Sequence, residues 1–188
     1  MLVLASTSPR RQELLRNAGI AFVADAANVA EVPLLNEPPL SFAERLAREK
    51  ALAVLTQRPG DVVLGADTVV LVDGLILGKP CDQADAARML RLLSARTHRV
   101  ITGVCLAGPP KDSFVDVRSE TTLVAMDLLS DDDIRSYIAT GEPMDKAGAY
   151  AIQGIASRWI SRIEGDYFNV VGLPVALVYR MLREHKVV

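Results

Sequence analysis

The stretch Leu2–Gly19 constrains the fold of this chain more than any other part of its sequence. Its first residues, Leu2–Ala5, form a short apolar run that suits a buried strand, and a small polar segment then leads into an amphipathic stretch. Ser8 can cap a helix at this point, and Pro9 suits the first helical position, where its missing N–H is not needed. The pattern therefore predicts a strand, a tight turn and a helix start.

A helix start of this kind is suited to binding an anion, because its free N–H groups and positive dipole end attract negative charge. The hydroxyl groups of the preceding turn add further donors. Arg10 and Arg11 fall in the first helical turn, where two positive charges oppose the dipole. A bound polyphosphate would compensate them, since arginine forks match phosphate oxygens. The alternative is an ordinary helix cap with two solvent-facing arginines, and the strand just upstream favours the anion site.

The composition predicts one globular domain over residues 1–188, because half of the residues are hydrophobic and 23% are charged. A net charge of −2 indicates no basic surface for nucleic acid or for an anionic membrane. No apolar run has the length of a membrane span, so we expect a cytoplasmic protein without a membrane partner. Cys81 and Cys105 form no disulfide framework, and both are expected to be buried in a reducing compartment.

The rest of the chain predicts strands that alternate with helices. Ile20–Val23 is typical of a second strand, and Ser41–Glu44 is a capping box for a helix to about Thr56. The continuous apolar run Val62–Val72 predicts a central strand, and Asp73-Gly74 is typical of a hairpin turn. Further helices are predicted to open at Asp82, Ser130 and Pro174.

Three late segments are predicted as strands, namely Arg99–Ala107, Phe114–Met126 and Ile155–Ile163, the first two being joined through Gly108–Pro110. Consecutive strands and a hairpin, set among strand–helix alternations, predict an α/β fold with a mixed sheet rather than a purely parallel one.

Asp67 is the sharpest candidate for chemistry, because an acid inside an apolar run is costly to bury without a partner or a metal. Gly65 beside it permits an irregular backbone or a close ligand. The alternative is an acid that bonds the local backbone. Glu31, in a proline-rich loop, gains interest only if it pairs with Asp67 to hold a hard cation. Lys79, between a glycine and a proline, is placed to bind phosphate, whereas Lys50 taken alone predicts a solvated helix charge.

Several common catalytic patterns are absent from the sequence. It contains no G-x-x-x-x-G-K-[ST] loop and no G-x-G-x-x-G at a helix start. His98 and His185 fall in contexts typical of a strand end and a C-terminal helix, so both are predicted to be structural. A Ser/His/Asp hydrolase is therefore not indicated.

An ordered set of motifs spans nearly the whole chain and resembles the Maf family. The motifs are Ser6-Thr7-Ser8-Pro9-Arg10-Arg11, Gly65-Ala66-Asp67-Thr68, Gly78-Lys79-Pro80, Asp145–Tyr150, Ile152-Gln153-Gly154 and Val171-Gly172-Leu173-Pro174. The resemblance implies a nucleoside triphosphate pyrophosphatase. It also implies a fold similar to that of the inosine triphosphate pyrophosphatases, with an elongated mixed β-sheet flanked by helices and a central cleft between two lobes.

The resemblance also implies roles for individual residues. It makes Asp67 the proton acceptor, and Glu31 and Asp67 the ligands of a divalent cation such as Mg²⁺, Mn²⁺ or Co²⁺. The residues implied to hold the triphosphate are Ser8, Arg11, Lys50 and Lys79. Those implied to select the base are Arg10, Thr68 and Gln153. Water would attack the α-phosphorus and break its bond to the oxygen that bridges to the β-phosphate, with a carboxylate near the metal to orient and deprotonate the water.

The pattern of the base-selecting positions resembles the subgroup that acts on dTTP and UTP. Two residues depart from the family pattern: Ala151 stands where glycine is common, and Ala30 stands where an acid often precedes Glu31. The alternatives are a 7-methyl-GTP pyrophosphatase of the same family and a non-catalytic nucleotide-binding regulator of septum formation. A homodimer is expected only by analogy with the family.

Overall fold

The computed structural model describes residues 1–109 and 113–188. The chain folds into two compact units. The first unit contains Met1–Thr68, Thr102–Glu120 and Gly172–Val188, and the second contains Val69–Ile101 and Thr121–Val171. Neither unit is a single continuous segment, because the chain crosses between them four times.

Seven strands among residues 1–109 and 113–188 confirm the mixed α/β sheet. They are β1 (Leu2–Ala5), β2 (Val23–Asp25), β3 (Val62–Val72), β4 (Leu75–Leu77), β5 (Thr97–Ala107), β6 (Val115–Met126) and β7 (Ile160–Glu164). The strand order is β2-β1-β3-β5-β6-β7, with β4 paired to β3. β1 runs parallel to both β2 and β3, whereas the β3–β4 and β6–β7 pairs are antiparallel.

The helices are α1 (Pro9–Asn17), α2 (Pro39–Gln57), α3 (Gln83–Leu93), α4 (Asp131–Ala139), α5 (Tyr167–Val171) and α6 (Val175–Glu184). In the part of the chain that the structure describes, three short 3₁₀ helices cover Glu142–Asp145, Ala147–Ala149 and Ile155–Trp159. Within the described residues, no helix combines the length and the apolar character needed to cross a bilayer. The predicted Gly108–Pro110 connection includes Pro110, which lies outside the described residues.

The predicted strand–turn–helix at the start of the sequence is present. β1 is fully buried, Ser8 occupies the N-cap position of α1, and Pro9 is its first residue. The Ser8 side chain makes no cap hydrogen bond, so that part of the prediction is wrong; its N–H instead donates to Ser6 Oγ at 3.2 Å. β2 begins at Val23, later than predicted, because its parallel pairing with β1 starts only at the Val3–Val23 pair.

Helix α2 begins at Pro39, two residues before the predicted capping box, with Pro38 as its N-cap residue. The prediction of a cap at Ser41 is therefore wrong. A proline at the first helical position has a fixed φ suited to the helix and needs no donor there, so the helix starts without a side-chain cap.

Glycines in two strands bring α2 close to the sheet in the first unit. A Cβ atom on Gly65 of β3 would lie 2.2 Å from the Ala47 carbonyl oxygen, and one on Gly103 of β5 would lie 2.3 Å from the Ala43 carbonyl oxygen. We predicted that Gly65 serves an irregular backbone or a close ligand. Instead it lies inside regular strand β3 and allows the backbone of α2 to touch the sheet.

The second unit confirms two predicted caps and corrects one strand. Asp82 accepts a hydrogen bond from the Asp85 N–H at 2.7 Å, and Ser130 with Asp133 forms a capping box at α4. The strand predicted over Ile155–Ile163 is wrong in its first half, which is a 3₁₀ helix, and β7 starts only at Ile160.

The two cysteines differ in exposure. Cys105 is buried as predicted, and burial raises the pKa of its thiol to about 12. The prediction that Cys81 is buried is wrong: it is exposed, because it lies in the irregular segment between β4 and α3 rather than in the core.

Candidate active site

The first unit contains a buried lysine that joins two carboxylates. Lys50 on α2 is only 7% exposed, and its Nζ donates to Asp67 Oδ1 at 2.6 Å and to Glu31 Oε1 at 2.5 Å. The prediction that Lys50 is a solvated helix charge is therefore wrong. Asp67 is 6% exposed, and it has the partner that its burial requires.

The close approach of α2 to β3 explains how the ion pair forms. Lys50 belongs to the same helix as Ala47 and Ala51, whose backbones lie against Gly65, and Asp67 is two residues after that glycine in β3. Residues i and i+2 of a strand point to the same face of a sheet, so Asp67 faces the helix as Gly65 does. The small residues thus place ammonium and carboxylate in contact.

Burial and charge act in opposite directions on Asp67. Burial raises the pKa of its carboxyl above the usual value, and the Lys50 charge and hydrogen bond and the Arg11 charge partly offset this increase. Burial likewise lowers the pKa of the Arg11 guanidinium, against the attraction of Asp67 and Glu31. Each group reduces the cost of burying the other, so the site holds charged groups of both signs away from bulk water.

Arg11 links three separate segments of the first unit. Its Nε donates to the Gly172 carbonyl oxygen at 2.8 Å, its Nη1 to Ser6 Oγ at 3.3 Å and its Nη2 to Thr68 Oγ1 at 3.1 Å. These bonds use three of the five guanidinium donors. Arg11 therefore fixes the turn after β1 against β3, directly beside Asp67.

The remaining predicted residues of the first unit surround this arginine or lie near it in sequence. Thr68 bonds Thr102 Oγ1 at 3.0 Å as well as Arg11, so its hydroxyl is part of the framework. Ser8 and Arg10 are half-buried at the start of α1. The structure thus brings together Arg11, Thr68, Lys50, Glu31 and Asp67 through direct contacts or adjacent positions, and it places Ser8 and Arg10 at the neighbouring helix start.

Two predicted residues belong to the second unit. Lys79 is exposed after β4, and Gln153 is exposed on a turn just before the 3₁₀ helix Ile155–Trp159. The Gly148 N–H donates to the Gly78 carbonyl oxygen at 3.0 Å, which ties the segment before Gln153 to the residue before Lys79. Their roles toward phosphate and base remain predictions.

The carboxylates of Glu31 and Asp67 suit a hard divalent cation, because both offer oxygen ligands and meet at one ammonium. Among residues 1–109 and 113–188, no group of three or more His, Cys, Asp or Glu side chains could hold a metal ion. A bound cation would therefore need ligands beyond these two side chains. Mg²⁺ commonly binds in this way, through one or two carboxylates together with substrate phosphates and water.

The sequence did not reveal the hydrogen-bonding partners in the second unit. His98 Nε2 lies 2.7 Å from the Tyr150 hydroxyl, and Tyr137 bonds Glu142 at 2.8 Å. His98 is structural, as predicted, but its partner is 52 residues away and has no local signal. Tyr150 ends the motif Asp145–Tyr150, which is the one sequence feature that points to this pair.

Comparison with known proteins identifies the family. The family model described as Maf-like protein matches residues 1–185. The chain belongs to this family. The residues that contact one another in the first unit, including Arg11, Asp67 and Thr68, come from the motifs that carried the resemblance, and the family assignment confirms that resemblance.

Curated relatives of this Maf-like chain match it over nearly its whole length. A protein of Koribacter versatilis (strain Ellin345) is 58% identical over 182 residues, covering 97% of this chain and 93% of that protein, and is named dTTP/UTP pyrophosphatase. Proteins of the same name from Symbiobacterium thermophilum and Geobacter sulfurreducens are 51% and 50% identical, each over 97% of this chain and over 93% and 95% of their own lengths.

Among solved structures, the Maf-like chain is similar to a nucleoside-triphosphatase / dITP/XTP pyrophosphatase from Mycobacterium abscessus. The TM-score is 0.41 and the identity 16%, over 66% of this chain and 72% of that one.

Proposed function

We propose that this chain hydrolyses dTTP and UTP to the nucleoside monophosphate and pyrophosphate. The observation that carries the proposal is the identity of 50–58%, over 97% of the chain, to three proteins named dTTP/UTP pyrophosphatase. The buried charges around Asp67 support it, because phosphoanhydride hydrolysis needs a base for water and cations for the phosphate oxygens.

Asp67 is the proposed general base. Its carboxylate is held by Lys50 through Oδ1, and this contact fixes its orientation. A carboxyl whose pKa is raised by burial is a better proton acceptor than an ordinary aspartate, provided that it remains ionised. In the proposed reaction, Asp67 orients a water molecule toward the α-phosphorus and takes its proton, and pyrophosphate leaves.

Glu31 and Asp67 are the proposed ligands of a divalent cation, Mg²⁺, Mn²⁺ or Co²⁺. When bound, the cation would neutralise phosphate oxygens. The Lys50 ammonium contacts both carboxylates and holds them as a pair. This pairing supports the assignment, because two acids 36 residues apart in sequence are brought to one point in the first unit.

The proposed phosphate-binding residues are Ser8, Arg11, Lys50 and Lys79. Arg11 retains donors beyond its three described bonds to protein oxygens. One of those bonds is to Thr68, the residue that follows Asp67, so the guanidinium lies near the proposed base. The half-buried Ser8 makes no cap bond at α1, which supports a role for its hydroxyl outside the helix cap.

Gln153, Arg10 and Thr68 are the proposed base-selecting residues. A glutamine amide offers both a donor and an acceptor, as the polar edge of uracil or thymine requires. Replacing Arg10→Trp together with Gln153→Ala should reduce the preference for dTTP and UTP over ATP, GTP and 7-methyl-GTP, since an unpaired buried polar group disfavours binding. Equal kcat/KM rankings for parent and double variant would contradict these roles.

The reaction is tested with purified protein, a panel of nucleotides and chromatographic separation of the products. We expect dTTP and UTP to give the monophosphate and pyrophosphate, and a chelator to abolish the reaction. Release of orthophosphate with a nucleoside diphosphate would contradict the cleavage position. Preference for 7-methyl-GTP would favour the alternative subgroup, and nucleotide binding without turnover would favour the regulator.

We propose a cytoplasmic location for this protein. We also propose that it acts on a free nucleotide and has neither nucleic acid nor a membrane as a partner. The substrate and the near-neutral net charge of −2 support this proposal. A homodimer stays a prediction by analogy with the family. Sedimentation of the full chain at several concentrations tests it.

A further inference from the structure

The turn that presents Gln153 is held by its own backbone and by a buried neighbour. The Gly154 N–H donates to the Ala151 carbonyl oxygen at 3.1 Å, Ile152 is buried, and Gln153 is exposed between them. The direction of the Gln153 side chain therefore depends on how this turn is fixed.

One phenol and one carboxylate hold both ends of the turn. The Ala151 N–H donates to the Tyr137 hydroxyl at 3.1 Å, and the Tyr137 hydroxyl donates to Glu142 Oε1 at 2.8 Å. The Ile155 N–H donates to the same carboxylate, at 3.1 Å from Oε1 and 3.3 Å from Oε2. The residues on either side of the Gln153 turn are thus joined through two side chains.

Gly154 shows how closely the carboxylate lies against the turn. A Cβ atom on Gly154 would be 2.2 Å from Glu142 Oε1 and 2.5 Å from Oε2. Real Cβ atoms do not come so close, so a side chain at residue 154 would displace the Glu142 carboxylate from its present contact with the turn. The absence of a side chain at Gly154 therefore allows Glu142 to lie directly against the turn.

The two supporting side chains are themselves well fixed. Tyr137 on α4 is 1% exposed and packs edge-on against Trp159, with ring centroids 5.6 Å apart. Burial and the Glu142 contact both raise the pKa of its hydroxyl, so it stays protonated and donates. Glu142 opens a 3₁₀ helix directly after Gly141, whose φ is 78°. A rigid second layer of this kind is what a recognition side chain needs for a defined position.

We propose that Tyr137 and Glu142 are positioning residues for nucleotide selection, acting through the backbone of the Gln153 turn. The inference rests on the proposed function, in which Gln153 reads the base. Neither residue needs to touch the nucleotide: they fix the N–H groups of Ala151 and Ile155, and these fix the direction of Gln153. Loss of either partner leaves a half-buried donor unpaired, and the turn then adopts other conformations.

The test is a double-mutant cycle read as the ratio of kcat/KM for UTP to that for ATP. Tyr137→Phe and Glu142→Ala should each lower this ratio by about tenfold, as expected when a recognition contact is lost. Most of the change should lie in KM for UTP. Glu142→Gln should restore much of the ratio, because its amide oxygen can still accept from Tyr137 and Ile155.

The background variant Gln153→Ala separates positioning from general destabilisation. If Tyr137 and Glu142 act through Gln153, then Glu142→Ala should leave the UTP/ATP ratio unchanged in the Gln153→Ala protein. Ser130→Ala is the matched control, because it removes the N-cap of α4, the helix that carries Tyr137. It should lower the melting temperature of the protein but leave the UTP/ATP ratio of kcat/KM unchanged.

The outcomes distinguish the inference from the proposed function. A parent protein that releases pyrophosphate from UTP and dTTP, with an unchanged ratio in Tyr137→Phe and Glu142→Ala, overturns the positioning role alone. An equal drop of the ratio with and without Gln153, or a drop in Ser130→Ala, also overturns it. A parent protein without pyrophosphatase activity overturns the proposed function and this inference with it.

Discussion

Lys50 and Asp67 form a buried ion pair across 17 residues of sequence, with Lys50 Nζ donating to Asp67 Oδ1 at 2.6 Å. Both side chains are 9% exposed, so neither can exchange its partner for bulk water at low cost. Because Glu31 also contacts the ammonium, a single positive charge stabilises two acids at this point of the first unit.

Removing the lysine should destabilise the fold strongly. We expect Lys50→Met to lower the free energy of unfolding by about 3 kcal/mol, because Asp67 then stays buried without its ion-pair partner. In an Asp67→Asn background the same substitution should cost less, since the carboxylate is gone. Urea unfolding of the four proteins gives the coupling energy, and additive costs would contradict the pairing.

Asp67→Asn should stop the chemistry while leaving nucleotide binding largely intact. The amide has the shape of the carboxylate but cannot accept the proton from water, so kcat should fall by about 10²–10⁴-fold. Single-turnover kinetics and calorimetric titration with UTP measure the two effects separately, and circular dichroism controls for folding. A near-normal kcat would restrict Asp67 to a structural role.

Gly65→Ala should be severely destabilising, because its Cβ would lie 2.2 Å from the Ala47 carbonyl oxygen and 2.8 Å from the Ala51 nitrogen. Both contacts are to backbone, so α2 must move away from β3, at a cost of about 3 kcal/mol. Gly60→Ala is the control, since nothing lies within 4 Å of its Cβ position. Its unfolding free energy should change by no more than about 0.5 kcal/mol, and equal costs in thermal unfolding would contradict the packing argument.

His98 should make stability depend on pH. Burial lowers the pKa of its imidazole from 6.5 to about 4, so the unfolded chain binds the proton more tightly than the folded one. Stability is full above about pH 6.5 and falls as the pH drops toward 4, by up to about 3 kcal/mol. His98→Gln should flatten the curve of unfolding free energy between pH 6.5 and 4.5; an unchanged slope would assign it to other groups.

The parts of the fold that could be predicted are those fixed by local sequence. The run Val62–Val72 is a strand with the predicted bounds, and Asp73-Gly74 turns the chain with φ values of 49° and 80°. A continuous apolar run and a turn that needs positive φ leave few alternatives, whatever the rest of the chain does.

The site could be predicted only in part, because its contacts are long-range. Lys50 has no local feature that indicates burial, and its partners lie 17 and 19 residues away, so only the family resemblance assigned it to the site. Ile155–Ile163 alternates like a strand, yet its first half bends into a 3₁₀ helix where Glu142 binds the Ile155 N–H. The carboxylate that accepts from Ile155 comes from another segment, and no pattern within Ile155–Ile163 indicates this contact.

The bond from Arg11 Nε to the Gly172 carbonyl oxygen joins residues 161 positions apart. During synthesis the ribosome produces the N-terminal segment of the first unit long before Gly172, and it produces the whole second unit in between. The bond from Arg11 to this acceptor can therefore form only when almost all of the chain has emerged. A nascent chain that stalls before residue 172 carries Asp67 and Lys50 but lacks the contact that fixes their neighbouring arginine, so nucleotide hydrolysis should begin only after that late segment has folded back.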